Sequence, residues 1–150
     1  MLKQSSSWDA ENYKATYIIE DECGRQFIGE AIAHEEDHDF ATELAGTQIA
    51  CLRATIKYLQ SVKRDILKPQ LAALKQLYYS INRSNKFNPK SYESKMLFNQ
   101  IEIKEEDIKA INLEIHRHKE FLHNYINDKD RAFKIMRRYR ASRVTLDENN

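Results

Sequence analysis

The sequence predicts an α+β fold: an N-terminal antiparallel β-hairpin or small sheet, followed by a long antiparallel helical hairpin. Three observations predict it. Residues 13–33 hold two runs rich in aromatic and β-branched side chains around a Gly-containing turn. Beyond residue 41, apolar residues recur at steps of three and four. Only 3 Gly and 2 Pro occur in 150 residues, so turns are few and helices long.

Residues 1–12 are polar and are expected to be mobile. The first strand is Tyr13-Lys14-Ala15-Thr16-Tyr17-Ile18-Ile19-Glu20, whose side chains suit a pleated surface. Asp21-Glu22-Cys23-Gly24 supplies a turn in which Gly24 can take φ > 0 at little cost. Arg25 to Ala33 returns as a second strand. A lone hairpin is marginal in water, so this one must pack on a helix or on a partner's sheet. A polar, acidic segment closes this part of the chain near residue 40, in a single α+β domain expected over residues 13–150.

The first helix is expected over residues 41–82, with Thr42 or Asp39 as its cap. Leu44, Ile49, Leu52, Ile56, Leu59, Val62, Ile66, Leu74, Leu77 and Ile81 mark its apolar face. Pro69 should kink or break it. Residues 83–90 form a loop that ends at Pro89. The second helix is expected over residues 91–143, opened by a Ser91 cap. Its stripe runs Ile101, Lys104, Ile108, Ile111, Ile115, His118, Leu122, Tyr125, Lys129, Phe133, Met136 and Arg140. Polar members interrupt this heptad-like pattern. Fifty residues of helix span roughly 75 Å, more than the first helix can cover. The uncovered remainder predicts a homo-oligomer.

Composition excludes several classes. The formal net charge of +1 argues against a general nucleic-acid binder, although a local basic patch remains compatible. No run reaches the roughly 18 apolar residues of a membrane span, so no membrane partner is expected. The first residues lack the apolar core of a secretory signal, and Cys23 and Cys51 read as reduced thiols of a cytoplasmic protein. No Gly-rich phosphate loop, nucleophile elbow or Cys–His signature is present. The chain is therefore expected to have no catalytic residues and no cofactor.

Three constellations could carry chemistry. His34-Glu35-Glu36-Asp37-His38 has the zinc-protease spacing of two His at i and i+4 with Glu after the first. That chemistry needs one helical face, a third ligand and a dry cleft. This segment follows a strand and has no apolar residue to bury it. A solvated acidic loop is the better reading, and no metal is expected. The second constellation is the C-terminal end of the second helix, with Lys129, Arg131, Lys134, Arg137, Arg138, Arg140 and Arg143 against Asp130, locally +6. Arginine suits bidentate phosphate contacts, but positive charge is also favoured at a helix C-terminus. The third is the loop with Arg83, Lys86, Phe87, Asn88, Lys90 and Tyr92. There Phe87 either anchors the loop on the core or stacks on a base whose edge Asn88 reads. His116 and His118, beside Arg117, suit a solvated or interfacial role.

Phe27-Ile28-Gly29-Glu30-Ala31 leads into His34-Glu35-Glu36-Asp37, then into Gly46, Ile49-Ala50 and Arg53-Ala54. This strand, acidic loop and Gly-containing helix resemble segments of small phage proteins. The layout over residues 8–143 resembles the phage Thoeris anti-defence family of signal-sequestering sponges. The resemblance implies an oligomeric α+β protein acting in the infected bacterial cell. It implies binding of a cyclic ADP-ribose isomer without degradation, and some relatives also bind cyclic trinucleotides. Such ligands need cations for phosphates, an aromatic face for adenine, and amides or acids for ribose. By chemistry the candidates are Arg137, Arg138, Arg117 and Arg53 for phosphates, Phe87 or Phe98 for stacking, and Asn88, Asn99 and Asp37 for ribose or base edges. The alternative is a nucleic-acid- or protein-interaction module that uses the Arg-rich helix end.

Overall fold

The computed structural model describes residues 1–83 and 92–148. Three antiparallel strands, β1 (Lys3–Asp9), β2 (Lys14–Glu20) and β3 (Gln26–Ile32), form one sheet in sequence order. The helices α1 (Glu43–Val62), α2 (Lys68–Asn82) and α3 (Tyr92–Glu148) follow. The α+β architecture is therefore as the residue pattern predicts.

One expectation is overturned. Residues 1–12 are not a mobile tail, because Lys3–Asp9 pairs with β2 along its whole length, from Lys3 opposite Glu20 to Asp9 opposite Lys14. Partner backbone, not intrinsic propensity, makes this serine-rich segment a strand. Asp9 closes the β1–β2 connection by accepting from the backbone N–H groups of Glu11 at 3.0 Å and Asn12 at 3.2 Å. Tyr13 ends that connection in the left-handed region, with φ of 50°. The second turn is as expected: Gly24 has φ of 80°, and the Asp21 carboxylate accepts from the N–H groups of Cys23 and Arg25.

One face of the sheet packs on α1. Alternation puts Ala15 and Ile19 of β2 and Gly29 and Ala31 of β3 on that face, all buried. They meet Gly46, Ala50 and Ala54 of α1, with Trp8, Tyr17 and Ile49 packed around an alanine centre. Small residues on both sides let the helix backbone approach the strand backbone. Thr42 caps α1 by accepting from the Ala45 N–H at 3.2 Å.

The expected break at Pro69 takes a milder form. Lys63–Leu67 is a π-turn in which the Lys68 N–H bonds back to the Lys63 carbonyl. This wider turn precedes Pro69, which enters the first turn of α2, where its missing N–H leaves no gap. The second helix extends past the expected 143 to Glu148. Arg83 forms the turn after α2, and the rest of the expected loop lies outside the described residues.

The chain divides into two compact units, one of Met1–Lys57 together with α3 from His118 onward, the other of Tyr58–Arg117. Within the second unit, Lys75 of α2 lies 3.3 Å from Glu105 of α3, and the rings of Tyr78 and Phe98 lie 6.2 Å apart. Rising numbers on one helix meet falling numbers on the other, so α2 and α3 run antiparallel there. Ile101 and Ile115 are buried on this inner face. No helix among the described residues is long and apolar enough to cross a membrane.

Candidate functional site

The first unit contains a cleft of about 310 Å³. Ala31, Ala45 and Gly46, at the sheet–helix junction, line part of it. Trp8 from β1, Tyr13 from the β1–β2 connection and Phe133 from α3 supply aromatic walls. Trp8 and Tyr13 meet edge to face at 6.5 Å, and Tyr13 stacks on His38 at 3.9 Å. Phe40 leans on Phe133 at 6.2 Å.

Two cations reach the cleft. Arg53 of α1 donates to the Glu30 carbonyl at 2.6 Å, which fixes its guanidinium at the rim. Lys129 of α3 lies over the Tyr125 ring at 5.4 Å from its centroid. Neither is within ion-pair distance of a carboxylate among the described residues. Asp37 and Asp130 also line the cleft.

Asp37 is buried, and the reason it tolerates burial is Arg137. Arg137 Nη1 lies 2.8 Å from Asp37 Oδ1 and 3.1 Å from Glu36 Oε2. The 2.8 Å approach is a charge contact without hydrogen-bond alignment, so Asp37 Oδ1 keeps unused acceptor capacity. Arg140 pairs with Asp39 one turn further along. Two arginines of the helix end are therefore paired with the acidic loop, so neither constellation stands wholly free, while Arg131, Lys134 and Arg138 remain outside these pairs.

The remaining candidates separate. Arg137 and Asp37 meet as an ion pair, and Arg53 is at the cleft. Arg138 is exposed near the end of α3. Arg117, Phe98 and Asn99 belong to the second unit, where Arg117 pairs with Glu114 at 3.2 Å. Phe87 and Asn88 lie outside the described residues. His34 and His38 flank a single 3-10 turn, Glu35–Asp37, so the i, i+4 spacing is not set on an α-helical face. Among the described residues no group of three or more His, Cys, Asp or Glu side chains could hold a metal ion.

Sequence reasoning missed Trp8, Tyr13, Lys129 and Phe133 as cleft residues. Two carried a signal. Lys129 and Phe133 both sit on the inward stripe of the second helix, where a lysine among apolar neighbours marks a charge facing the fold.

The small residues between Phe27 and Ala54 form the sheet–helix seam. A Cβ on Gly29 would lie 2.6 Å from the Ala54 nitrogen, and one on Gly46 would lie 3.1 Å from the Ala15 Cβ. No family model, curated protein or solved structure matches this chain.

Proposed function

We propose that this chain binds and sequesters a cyclic ADP-ribose-type nucleotide without degrading it, acting as a homo-oligomer in the cytoplasm of an infected bacterial cell. The observation that carries this reading is the placing of Arg53 and Lys129 beside Trp8 and Tyr13 at one cleft. Cations beside aromatic faces are the pairing that a phosphorylated adenine nucleoside requires. The cleft volume is at the lower end of the roughly 300–1,000 Å³ typical of ligand pockets. A nucleobase and one ribose would fill it, with the pyrophosphate and the second ribose of a cyclic ADP-ribose emerging from its open side. The ligand class itself comes from the resemblance to the anti-defence sponges, and cyclic trinucleotides are the second ligands to try.

The test is incubation of the purified chain with a panel of cyclic ADP-ribose isomers, followed by denaturation and chromatography of what is released. Recovery of an intact isomer supports sequestration. Loss of the isomer with a new product makes the chain an enzyme. Absence of both binding and turnover overturns the nucleotide reading and leaves the interaction module in its place.

A specific observation favours one other reading, an interaction module for phosphate-bearing or acidic partners. Arg131, Lys134 and Arg138 fall on one exposed face of α3 and pair with no carboxylate among the described residues. Binding through that face would weaken steeply with salt, whereas a ligand held in the cleft would lose less.

A further inference from the structure

The two edges of the sheet are built differently. On β3, Lys57 donates to the Ile28 carbonyl at 2.5 Å and Arg53 to the Glu30 carbonyl at 2.6 Å. Outward carbonyls are thus occupied, and two cations guard that edge. The β1 edge has no such cover. Every residue of Lys3–Asp9 except Trp8 is exposed. Among the described residues, no backbone group of β1 has a backbone partner outside the β1–β2 ladder. The strand contains neither Pro nor Gly, and its centre, Gln4-Ser5-Ser6-Ser7, is uncharged. A seven-residue open edge of this kind is a template for another strand.

We infer that β1 pairs antiparallel with β1 of a second copy of this chain, about a two-fold axis at Ser6, joining two sheets into one of six strands. The charges of the strand select this partner and this register. With Ser6 opposite itself, Lys3 stands opposite Asp9 of the second copy, and Asp9 opposite its Lys3. Gln4 then meets Trp8, and Ser5 meets Ser7. Sliding by two residues either way sets Lys3 opposite Ser7, or Asp9 opposite Ser5, and loses both charge pairs. A slip of one residue turns the side chains to the wrong face.

The neighbouring strand extends the match. Within one chain Lys3 is opposite Glu20, and Asp9 is opposite Lys14. Across the proposed axis the row therefore reads Glu20, Lys3, then Asp9 and Lys14 of the second copy, alternating in sign on one face. Lys14 continues the alternation to Glu30, 3.2 Å away. Opposite charges directly across a ladder are favourable and like charges are not. The Asp9 carboxylate also accepts from Asn12 Nδ2 at 2.7 Å, which holds it at the strand end.

This pairing deepens the oligomer part of the proposed function, and its test needs no nucleotide, so the two can fail separately. Because Ser6 is its own partner, S6K alone and S6E alone should each place like charges on the axis. Sedimentation over a concentration series should show each weakening the dimer by about tenfold. An equimolar mixture of the two should restore the dimer as a heterodimer. In a C23S background, which removes the exposed thiol, S6C should give a disulfide-linked dimer on mild oxidation, and Q4C, facing Trp8, should not. A chain that stays monomeric throughout, or a dimer that S6K, S6E and their mixture leave unchanged and that S6C does not link, overturns the pairing. Should the charged variants fail to fold, the S6C linkage alone decides it.

Discussion

Gly29 of β3 and Ala50 of α1 meet backbone to backbone. A Cβ built on Gly29 would overlap the Ala50 carbonyl oxygen and lie 2.6 Å from the Ala54 nitrogen. Both obstacles are helix backbone, which cannot turn aside as a side chain can. Gly29→Ala should therefore push the helix from the sheet and cost about 3 kcal/mol. Gly24→Ala is the comparison, since Gly24 has nothing within 4 Å and only its φ of 80° to penalise a side chain. That substitution should cost about 1 kcal/mol. Urea unfolding of the two variants checks the order, and a Gly29→Ala midpoint equal to that of the native chain would refute the seam.

The seam shows what a sequence can and cannot disclose. Alternation in residues 13–33 and the 3.6-residue period beyond 41 are local, and both were legible. Every stripe position of the second helix from Ile101 to Phe133 is buried or half-buried. The stripe ends there, because Met136 is exposed and Arg137 takes the inward place. That shift was not legible. It depends on a carboxylate, Asp37, that is 100 residues away in the sequence. β1 was missed for a related reason: a strand of serines carries no apolar pattern and is defined only by the backbone it pairs with. The cleft was legible in part. Arg53 could be named from its residue type, but Trp8 was hidden in the segment read as a tail.

Arg137 should be a stability residue before it is a ligand residue. Removing its charge leaves Asp37, whose side chain is 11% exposed, without its counter-ion. Breaking such a pair from one side costs more than removing both partners. Arg137→Met is expected to destabilise the chain by about 2 kcal/mol, discounted because Arg137 itself is one-third exposed. Asp37→Asn together with Arg137→Met should recover most of that loss. A double-mutant cycle by denaturant unfolding measures the coupling, and additive single effects would show that the two charges do not depend on each other.

The two sheet turns should set the acid limb of stability. The Asn12 side chain, with the Asn12 and Glu11 N–H groups, holds Asp9 below its ordinary 3.8. At Asp21 burial pushes the carboxyl up, but the bonds from Arg25 and Cys23 outweigh it, and the net shift is again downward. A carboxyl whose folded pKa lies below its unfolded value stabilises the fold above the unfolded value and loses that contribution as pH falls through the folded one. Stability from these turns should thus be fully present above about pH 5 and fade below 3.8. Asp9→Asn and Asp21→Asn should each flatten this limb. Amide resonances of Asn12 and Cys23 report it directly, and a limb unchanged in both variants would assign the acid dependence elsewhere.

The cleft makes the sharpest demand on the functional reading. Lys129→Met keeps most of the length of the side chain while removing the charge and, with it, the cationic contact on the Tyr125 ring. If Lys129 holds a phosphate oxygen, affinity for the bound isomer should fall about ten- to a hundredfold, the worth of one charge-assisted hydrogen bond. Arg53→Met should act similarly, but it also strips the Glu30 carbonyl of its donor and so should lower stability slightly. Trp8→Leu should weaken binding by loss of an aromatic face, with little change in salt dependence. Changing Arg131, Lys134 and Arg138 together to Ala should leave isomer binding intact. Isothermal titration at two salt concentrations separates these effects. Should the triple variant abolish binding while Lys129→Met leaves it unchanged, the ligand sits on the outer face of α3, and the interaction-module reading replaces the cleft.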